Sequence, residues 1–357
     1  MTEHYPVTSN LKPEMSYPIY IIGAGGIVND AHLPAYRLAG FEVAGIYDLN
    51  REKATATAAK FGIPAVFDSL DVLLQQATGK VVFDVAVPGS AIAGVLQQLP
   101  QGAAVLMQKP MGNDLAEAEQ IVQVTRERHQ VAGVNFQLRY APFIEEARAM
   151  IAEGQIGQLC GMSIQVDVYT PWHLWDFLFQ LPRVEILYHS IHYVDLLRSF
   201  LGNPRSVYAK TVKHPAMQAL ASVKTNIIMD YGDWVSANII TNHCHIYGPE
   251  QQHAWVTFEG TKGAIKTKLG VLMDYPVGVE DAFTYCILQE GEAPKWQQKE
   301  IAGGWFPHAF IGSMQQVMLA AMGKIERPDN SVEDCIDTMR CVEAAYQSSQ
   351  QGGVPLF

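Results

Sequence analysis

The sequence lacks several features that mark specialised classes of protein. It has no basic run, and its 25 Lys and Arg against 36 Asp and Glu give a net charge of −11, which argues against nucleic acid and anionic membranes as partners. No apolar run approaches the roughly 20 residues that a membrane-spanning helix needs. Residues 1–17 are polar and lack the apolar segment of a signal peptide.

Cysteine is also scarce. The five cysteines are an odd number and are scattered along the chain, at Cys160, Cys244, Cys286, Cys335 and Cys341. This distribution favours reduced thiols in a cytoplasmic protein over a disulfide framework or a clustered zinc site. The chain has 357 residues, of which 48% are hydrophobic, so it is long and apolar enough for two domains or one large one.

Strand-like and helix-like segments alternate from residue 18 to about residue 135. Strands are predicted at 19–22, 43–47, 81–87, 105–107 and 131–134, with helices such as 50–61 and 115–128 between them. This alternation predicts an α/β fold, a Rossmann doubly wound parallel sheet that binds ligands at the carboxyl ends of its strands. We therefore expect a polar extension at 1–17 and a dinucleotide-binding domain at 18–135.

Beyond residue 135 the pattern changes. Strand-like runs lie at 158–169, 206–212, 222–230, 234–244 and 253–258, with a helix-like run at 185–201 and closing helices near 306–322 and 332–350. We expect residues 136–357 to form an α+β domain with an open, mostly antiparallel sheet, which serves substrate binding and oligomerisation.

A glycine-rich turn follows the first predicted strand. Gly23 permits the tight turn, Gly25 lets the backbone approach a pyrophosphate, and the next helix directs its free N–H groups at that phosphate. Val28 stands where the fingerprint has its third glycine, and an ordinary strand–helix turn is the alternative. Gly26, Ile27, Pro88 and Lys109 are also assigned to the cofactor site.

A carboxylate ends the second predicted strand. Asp48 is placed to accept hydrogen bonds from the adenine ribose hydroxyls and would repel a 2′-phosphate, so NAD is the expected cofactor. NADP remains open because Arg51, also assigned to the cofactor site, lies close by. Asp48 is also suited to capping the next helix.

Lys109 directly follows the predicted strand at 104–107, within Gln108-Lys109-Pro110. It should project at the carboxyl edge of the sheet, where the nicotinamide ring is expected. There its ammonium group would bind a substrate oxygen and stabilise negative charge. A solvent-exposed lysine in a strand-to-helix turn is the alternative.

The helix-like run at 185–201 carries a second set of reactive groups. Helical spacing predicts that Glu185, Tyr188, His192 and Asp195 share one face. Histidine suits general-base work near neutral pH, and a nearby carboxylate can orient its ring. The alternative is a core helix with hydrogen-bonded histidines, which we favour for His189.

No metal site is expected. His189 and His192 are one helical turn apart, and His243 and His245 share one strand face, but neither pair has an obvious carboxylate partner. Aromatic clusters at 169–177 and 304–310, which include Trp172 and His308, suit the apolar faces of a sugar ring as well as ordinary packing.

Taken together, these motifs resemble the glucose–fructose oxidoreductase, inositol dehydrogenase and rhizopine catabolism (Gfo/Idh/MocA) family over about residues 18–357. The resemblance lies in the glycine turn, in Gln108-Lys109-Pro110 for the family's Glu-Lys-Pro, and in 135–142 for its Asn-x-x-x-Arg-x-x-Pro linker. Residues 188–195 are similar to its Asp-x-Gly-x-His-x-x-Asp pattern, with Tyr188 and Ser190 replacing the first aspartate and the glycine. Segments 260–263 and 344–348 resemble its late turn and closing helix.

The resemblance implies roles for these residues. Lys109 would bind the reacting oxygen, His192 would take or return its proton, and Tyr188 would assist. Apart from these implied roles, we also assign His189, Asp195, Trp172 and His308 to the substrate site, together with Lys109 and Tyr188. The open sheet of the second domain would support a homodimer or homotetramer.

The expected function is an NAD(H)-dependent oxidoreductase that interconverts a secondary alcohol and a ketone of a sugar, sugar acid or cyclitol. Two alternatives remain open. One is an NAD-assisted lyase or glycosidase with transient oxidation, and the other is a non-catalytic nucleotide-binding sensor.

Overall fold

The computed structural model describes residues 16–356, so most of the predicted extension at 1–17 lies outside the described residues. The chain divides into two compact units. The first comprises Met1–Ala141 and Phe306–Met339, and the second comprises Pro142–Trp305 and Arg340–Phe357. The sequence predicts a single boundary at residue 135, whereas in the structure the segment Phe306–Met339 returns to the first unit.

The first unit is built on a parallel sheet. In the described residues it has five strands in the order β2-β1-β3-β4-β5. The strands are β1 (Ile19–Ile22), β2 (Val43–Tyr47), β3 (Val82–Val85), β4 (Ala104–Met107) and β5 (Val131–Val134). The middle strands β3 and β4 are buried along their whole length, as expected for a parallel sheet covered on both faces. The predicted Rossmann sheet is confirmed.

Helices connect these strands. They are α1 (Leu33–Ala39), α2 (Arg51–Phe61), α3 (Leu70–Gln76), α4 (Gly89–Gln98) and α5 (Leu115–Glu127). Side-chain caps define several starts: the Asn50, Ser69 and Asp114 side chains each accept a backbone N–H from the first turn of α2, α3 or α5. The helices predicted at 50–61 and 115–128 are confirmed within one residue at each end.

The second unit contains a larger sheet. In the described part of the chain it has eight strands, in the order β13-β12-β11-β10-β6-β9-β8-β7, and β6 and β9 form its parallel pair. Its strands are β6 (Leu159–Asp167), β7 (Ser206–Val212), β8 (Lys224–Asp230), β9 (Ser236–Asn242), β10 (His253–Gly260), β11 (Gly263–Lys268), β12 (Ala282–Ile287) and β13 (Gln297–Lys299). The mostly antiparallel sheet is confirmed, although β11, β12 and β13 are not predicted from the sequence.

The remaining helices follow the same chain order. They are α6 (Pro142–Ala152), α7 (Ile191–Leu201), α8 (Ala309–Ala321) and α9 (Val332–Gln351). The closing helices predicted near 306–322 and 332–350 correspond to α8 and α9. Among residues 16–356, no helix is both long enough and apolar enough to cross a membrane.

Helix α8 completes the core of the first unit. Its side chains Phe310, Met314, Val317 and Met318 are buried in one apolar cluster with Ile21 of β1. At about 25 cal/mol per Å² of buried apolar surface, each such side chain contributes roughly 1.5–3 kcal/mol to folding. The Rossmann sheet therefore depends on a segment from the last fifth of the chain.

A buried arginine holds that segment against the end of β5. Arg139 is 4% exposed; its guanidinium donates to the Asp329 carbonyl oxygen at 2.7 Å and to the Asp334 carboxylate at 2.7 Å. The neighbouring Tyr140 hydroxyl donates to the Asp329 carboxylate. Burial, together with the Asp329 charge, raises the pKa of Tyr140 well above its usual value, so the phenol keeps its proton as a donor.

We expect Arg139→Ala to lower the free energy of unfolding by about 2–3 kcal/mol. The substitution removes the hydrogen bonds of a buried guanidinium to Asp329 and Asp334, although Asp334 is 37% exposed and water screens part of the loss. Arg51→Ala is the matched control, because its ion pair with Asp68 is 66% and 64% exposed and should contribute less than about 0.5 kcal/mol. Urea titration of both variants measures this difference. Equal losses would show that the Arg139 contacts do not hold the segment.

Candidate active site

The glycine-rich turn has the geometry that a dinucleotide site requires. Gly23 has a φ of +112°, and a β-carbon there would lie 2.3 Å from the carbonyl oxygen of Ala86, so only glycine fits. A β-carbon on Gly25 would meet nothing within 4 Å. Gly25 therefore leaves open space above the backbone, which fits the close approach of a pyrophosphate.

A cleft of about 320 Å³ lies over this turn. Its lining residues are Ala24, Gly25, Gly26, Asn29, Lys53, Ala56, Thr57 and Lys60. The cleft thus combines glycine backbone, amide and hydroxyl groups with two ammonium groups, a donor set that suits the phosphates of a dinucleotide. Sequence reasoning missed Lys53 and Lys60, although their seven-residue spacing places them on one side of α2.

Val28, at the third position of the fingerprint, is fully buried in the apolar core. It begins a π-helical turn, Val28–His32, that leads into α1. Such turns insert one extra residue into a helix and are frequent at functional sites. The side chain at position 28 therefore serves core packing, and the two remaining glycines form the wall of the cleft.

Asp48 lies next to the turn and is held by backbone donors. Its Oδ2 accepts the Ala24 N–H at 2.7 Å and its Oδ1 accepts the Asn50 N–H at 2.7 Å. The cap of α2 is Asn50, whose side chain accepts the Lys53 N–H. Each carboxylate oxygen has a second acceptor site, so this arrangement leaves Asp48 able to accept ribose hydroxyls. Arg51 forms an exposed ion pair with Asp68.

Lys109 follows β4 at the carboxyl end of the parallel sheet, as predicted. Its backbone N–H donates to the Oε1 atom of Gln108 at 2.8 Å. The side chain is half-buried, and withdrawal from water lowers the pKa of Lys109 to about 8. A lysine with such a pKa exists in both protonation states near neutral pH, which surface lysines do not.

Two other predicted residues of the first unit lie at helix starts. Pro88 directly precedes α4 and is exposed. His308 directly precedes α8, and partial burial lowers the pKa of its imidazole. The roles assigned to Pro88 in the cofactor site and to His308 in the substrate site remain predictions.

In the second unit, the predicted helix at 185–201 is not α-helical throughout. Residues Ile186–Ser190 form a second π-helical turn that continues into α7. The α-helical spacing that predicts one face for Glu185 through Asp195 does not hold across this turn, because a π-turn has more residues per turn. That part of the prediction is wrong.

The predicted side chains of this segment lie in different surroundings. His192 is 8% exposed and packs edge-on against Trp305 at 5.5 Å, and Asp195 is buried. Tyr188 is half-buried and packs edge-on against Phe177 at 5.7 Å. Tyr188 and His192 therefore each have an aromatic neighbour that limits the orientation of the ring.

Trp172 and His189 come together around a histidine that sequence reasoning set aside. The His189 ring lies 4.9 Å from Trp172 and 4.4 Å from His243. His243 is buried, and its Nδ1 lies 2.9 Å from the Thr170 hydroxyl. The Trp172 ring also lies 5.9 Å from His243, so the three rings pack together. The structural role favoured for His189 stays a prediction.

His243 does have a carboxylate partner, contrary to the sequence prediction. Its Nε2 lies 3.4 Å from Glu185 Oε1, and both side chains are buried. Burial alone would raise the pKa of Glu185, but the hydrogen bond and charge of His243, with hydrogen bonds from Thr225 and Ser190, outweigh it and place the pKa below its usual value. Glu185 is therefore a buried anion paired with His243.

Comparison with known families agrees with this architecture. The family model described as "Oxidoreductase family, NAD-binding Rossmann fold" matches residues 18–136, and the "GFO/IDH/MocA C-terminal domain" model matches residues 144–266. Together the two matches span more than half of the chain.

Two relatives that match most of this chain carry the names of sugar oxidoreductases. The chain is 26% identical to 1,5-anhydro-D-fructose reductase from Ensifer adhaerens over 261 residues, which cover 72% of this chain and 77% of the relative. It is 21% identical to D-xylose 1-dehydrogenase (NADP(+)) 2 from Haloferax volcanii over 334 residues, covering 93% and 97%.

A solved structure with the same fold is that of levoglucosan dehydrogenase in complex with NADH and levoglucosan. It superposes with a TM-score of 0.78 at 15% identity and covers 94% of this chain and 97% of that one. The two family matches, one on each sheet-bearing part of the chain, settle the classification: this chain belongs to the Gfo/Idh/MocA family of oxidoreductases.

Proposed function

We propose that the protein is an NAD(H)-dependent dehydrogenase that interconverts a secondary alcohol and a ketone of a sugar, sugar acid or cyclitol. Family membership makes it an oxidoreductase with an NAD-binding Rossmann domain. The observation that carries the finer proposal is the position of Lys109, a half-buried lysine of lowered pKa at the carboxyl end of the same sheet whose first turn forms the cleft.

The cofactor site fits NAD on the residues present. Gly25 leaves space for a phosphate, Lys53 and Lys60 supply positive charge, and Asp48 supplies acceptors for ribose hydroxyls. NAD held by these residues would supply the hydride acceptor for oxidation of the substrate. The chain's own residues then have to hold the substrate oxygen and remove its proton.

Lys109 is the proposed oxyanion partner. In its protonated form it donates a hydrogen bond to the substrate oxygen and stabilises the negative charge that develops as the alcohol is oxidised. Its partial burial strengthens this interaction, because less water competes for the oxygen. The same burial makes the proton easier to lose, which limits the pH range in which Lys109 works.

His192 is the proposed general base. Its ring is nearly buried and is held edge-on by Trp305, so it would lose little rotational freedom on accepting a proton from a bound hydroxyl. In the neutral state it accepts the hydroxyl proton during oxidation and returns it during reduction. Tyr188 is proposed to assist by a hydrogen bond to the same substrate.

Aromatic side chains support a carbohydrate or polyol substrate. Phe177 is 54% exposed and packs against Tyr188, and Trp172 lies beside His189. Aromatic faces beside polar groups suit the C–H faces and hydroxyls of a sugar ring. The names of the relatives, which include a reductase and a dehydrogenase of sugars, favour the same class.

With NAD and a panel of aldoses, sugar acids and cyclitols, we expect net formation of NADH with at least one compound. Lys109→Ala should lower kcat about a hundredfold or more, because a preorganised partner of the oxyanion is lost, while the Kd for NAD changes little. Absorbance of NADH and calorimetric titration give the two values. Near-normal turnover in the variant would show that Lys109 is an ordinary surface lysine.

The pH dependence of the same reaction tests the protonation state in which Lys109 acts. Because protonated Lys109 is the active form and its pKa is about 8, the rate of oxidation should fall as the pH rises through about 8. Lys109→Arg keeps a charge that does not titrate in this range, so its residual activity should lack the descending limb.

NAD should bind at least about tenfold more tightly than NADP, which corresponds to about 1.4 kcal/mol. The Asp48 carboxylate repels a 2′-phosphate, so Asp48→Asn should reduce the ratio. Asp68→Asn is the matched control, since Asp68 is an exposed carboxylate paired with Arg51. Calorimetric titration of both cofactors measures the ratio, and tighter binding of NADP to the unmodified protein would contradict the assignment.

His192→Asn should remove most of the rate of oxidation together with its ascending pH limb. A general base must be neutral, so the rate of the unmodified enzyme should rise through the range in which imidazoles titrate. His189→Asn is the comparison, because His189 packs against Trp172 and His243 and should leave the limb in place. If His189→Asn loses the limb and His192→Asn keeps it, the roles of the two histidines are reversed.

A further inference from the structure

A buried polar network lies beneath the turn that carries Lys109. His32, the last residue of the first π-helical turn, and Asp84 of β3 are both 0% exposed, and His32 Nδ1 lies 2.7 Å from Asp84 Oδ2. The Tyr36 hydroxyl donates to the same oxygen at 2.8 Å. The ring of Phe310 packs on the imidazole at 5.1 Å. None of these residues is part of the proposed reaction.

The other side of the imidazole faces two amides. Gln108 Nε2 and Asn135 Nδ2 each lie 3.1 Å from His32 Nε2. The orientation of the Gln108 amide is fixed by its other end, because Oε1 accepts the backbone N–H of Lys109 at 2.8 Å. If the amide were reversed, its NH2 group would face the backbone N–H of Lys109, and two donors would meet without an acceptor.

This orientation fixes the proton on the imidazole. The nitrogen of a side-chain amide only donates, so His32 Nε2 must be an acceptor without a proton. The proton therefore resides on Nδ1, where it is donated to Asp84. A single chain of hydrogen bonds runs from the Lys109 backbone through Gln108 and His32 to a carboxylate in the core.

We propose that His32 is a positioning residue for Lys109, which it aligns through Gln108 and the backbone of the turn. The proposal rests on the proposed function in so far as Lys109 is the residue that binds the substrate oxygen. The Gln108 amide gives the turn after β4 one preferred orientation, because the amide itself is held at both ends. His32 in turn is held by Asp84, inside the rigid sheet.

The network also accounts for a departure from the family motif. Where the family's Glu-Lys-Pro has glutamate, this chain has Gln108. A carboxylate there would still accept the Lys109 N–H, but its second oxygen would face the lone pair of His32 Nε2. To avoid this repulsion, a glutamate at position 108 would require His32 Nε2 to carry a proton, which would place a positive charge on a buried imidazole. Glutamine is therefore the residue that matches the His32 tautomer.

The first test uses the unmodified protein and needs no substrate. Histidine ¹⁵N spectra are recorded between pH 7 and 8, and the His32 signals are assigned by their loss in His32→Gln. The His32 signals should show only the Nδ1–H tautomer. In Gln108→Glu the same resonance should change to the doubly protonated form. An Nε2–H tautomer, or a doubly protonated His32 in the unmodified protein, would overturn the proposal.

The second test measures positioning. Gln108→Leu removes both ends of the amide link, so hydrogen exchange of the Lys109 amide should become at least about tenfold faster. The kcat should fall by roughly tenfold or more, since small misplacements of a reacting group are costly, while KM for NAD stays within about twofold. Tyr36→Phe is the matched control: it removes a hydrogen bond to the same Asp84 oxygen without touching Gln108, and both readouts should stay within about twofold.

The two proposals fail in different ways. If Lys109→Ala keeps its turnover while the tautomer and exchange results hold, the role of Lys109 in catalysis is wrong and the network still positions its backbone. If Lys109→Ala is inactive but Gln108→Leu keeps both its kcat and its protected amide, the positioning role of His32 is wrong. Equal losses of kcat in Tyr36→Phe and Gln108→Leu would likewise overturn it, by showing a general effect on stability.

Discussion

The cofactor-binding half of the protein depends on the close approach of Gly23 to the carbonyl oxygen of Ala86. Strand β1 lies between β2 and β3, so its end is confined on both sides. A β-carbon at Gly23 would lie 2.3 Å from that oxygen and would force β1 away from β3. The Ala24 N–H would then move off Asp48, and the backbone beside the cleft would lose its position. The absence of a β-carbon at Gly23 thus determines the positions of the end of β1, of the Asp48 carboxylate and of the backbone beside the cleft.

The sequence predicts the regular parts of both sheets well because their signals are local. The strands at 19–22, 43–47, 131–134 and 206–212 agree with the structure at both ends, since each is an apolar or alternating run bounded by turn residues. Strands β11 and β13 are short and carry lysine, threonine or glutamine, and β12 is a six-residue run. All three are stabilised by pairing with neighbouring strands. Sequence patterns alone do not show such pairing.

In the candidate site, too, the residues with a local sequence signal are predicted and those that depend on tertiary packing are not. Gly23, Asp48 and Lys109 are predicted because each lies at the end of a strand, where the parallel fold itself creates the site. Asp84 gives a signal that is easily overlooked, a lone carboxylate within an apolar strand. The pairing of Glu185 with His243 joins a helix to a distant strand, and the π-helical turn beside it adds a residue to the helix. Both depend on tertiary packing, which helical spacing does not contain.

The return of Phe306–Met339 to the first unit has a consequence for biosynthesis. A ribosome completes β1 to β5 and then the whole of Pro142–Trp305 before it reaches the residues of α8. During that interval the apolar surface that Phe310, Met314, Val317 and Met318 will cover has no partner from the nascent chain. The first unit is therefore completed only after the inserted unit has been made, and until then its uncovered apolar face is exposed to aggregation.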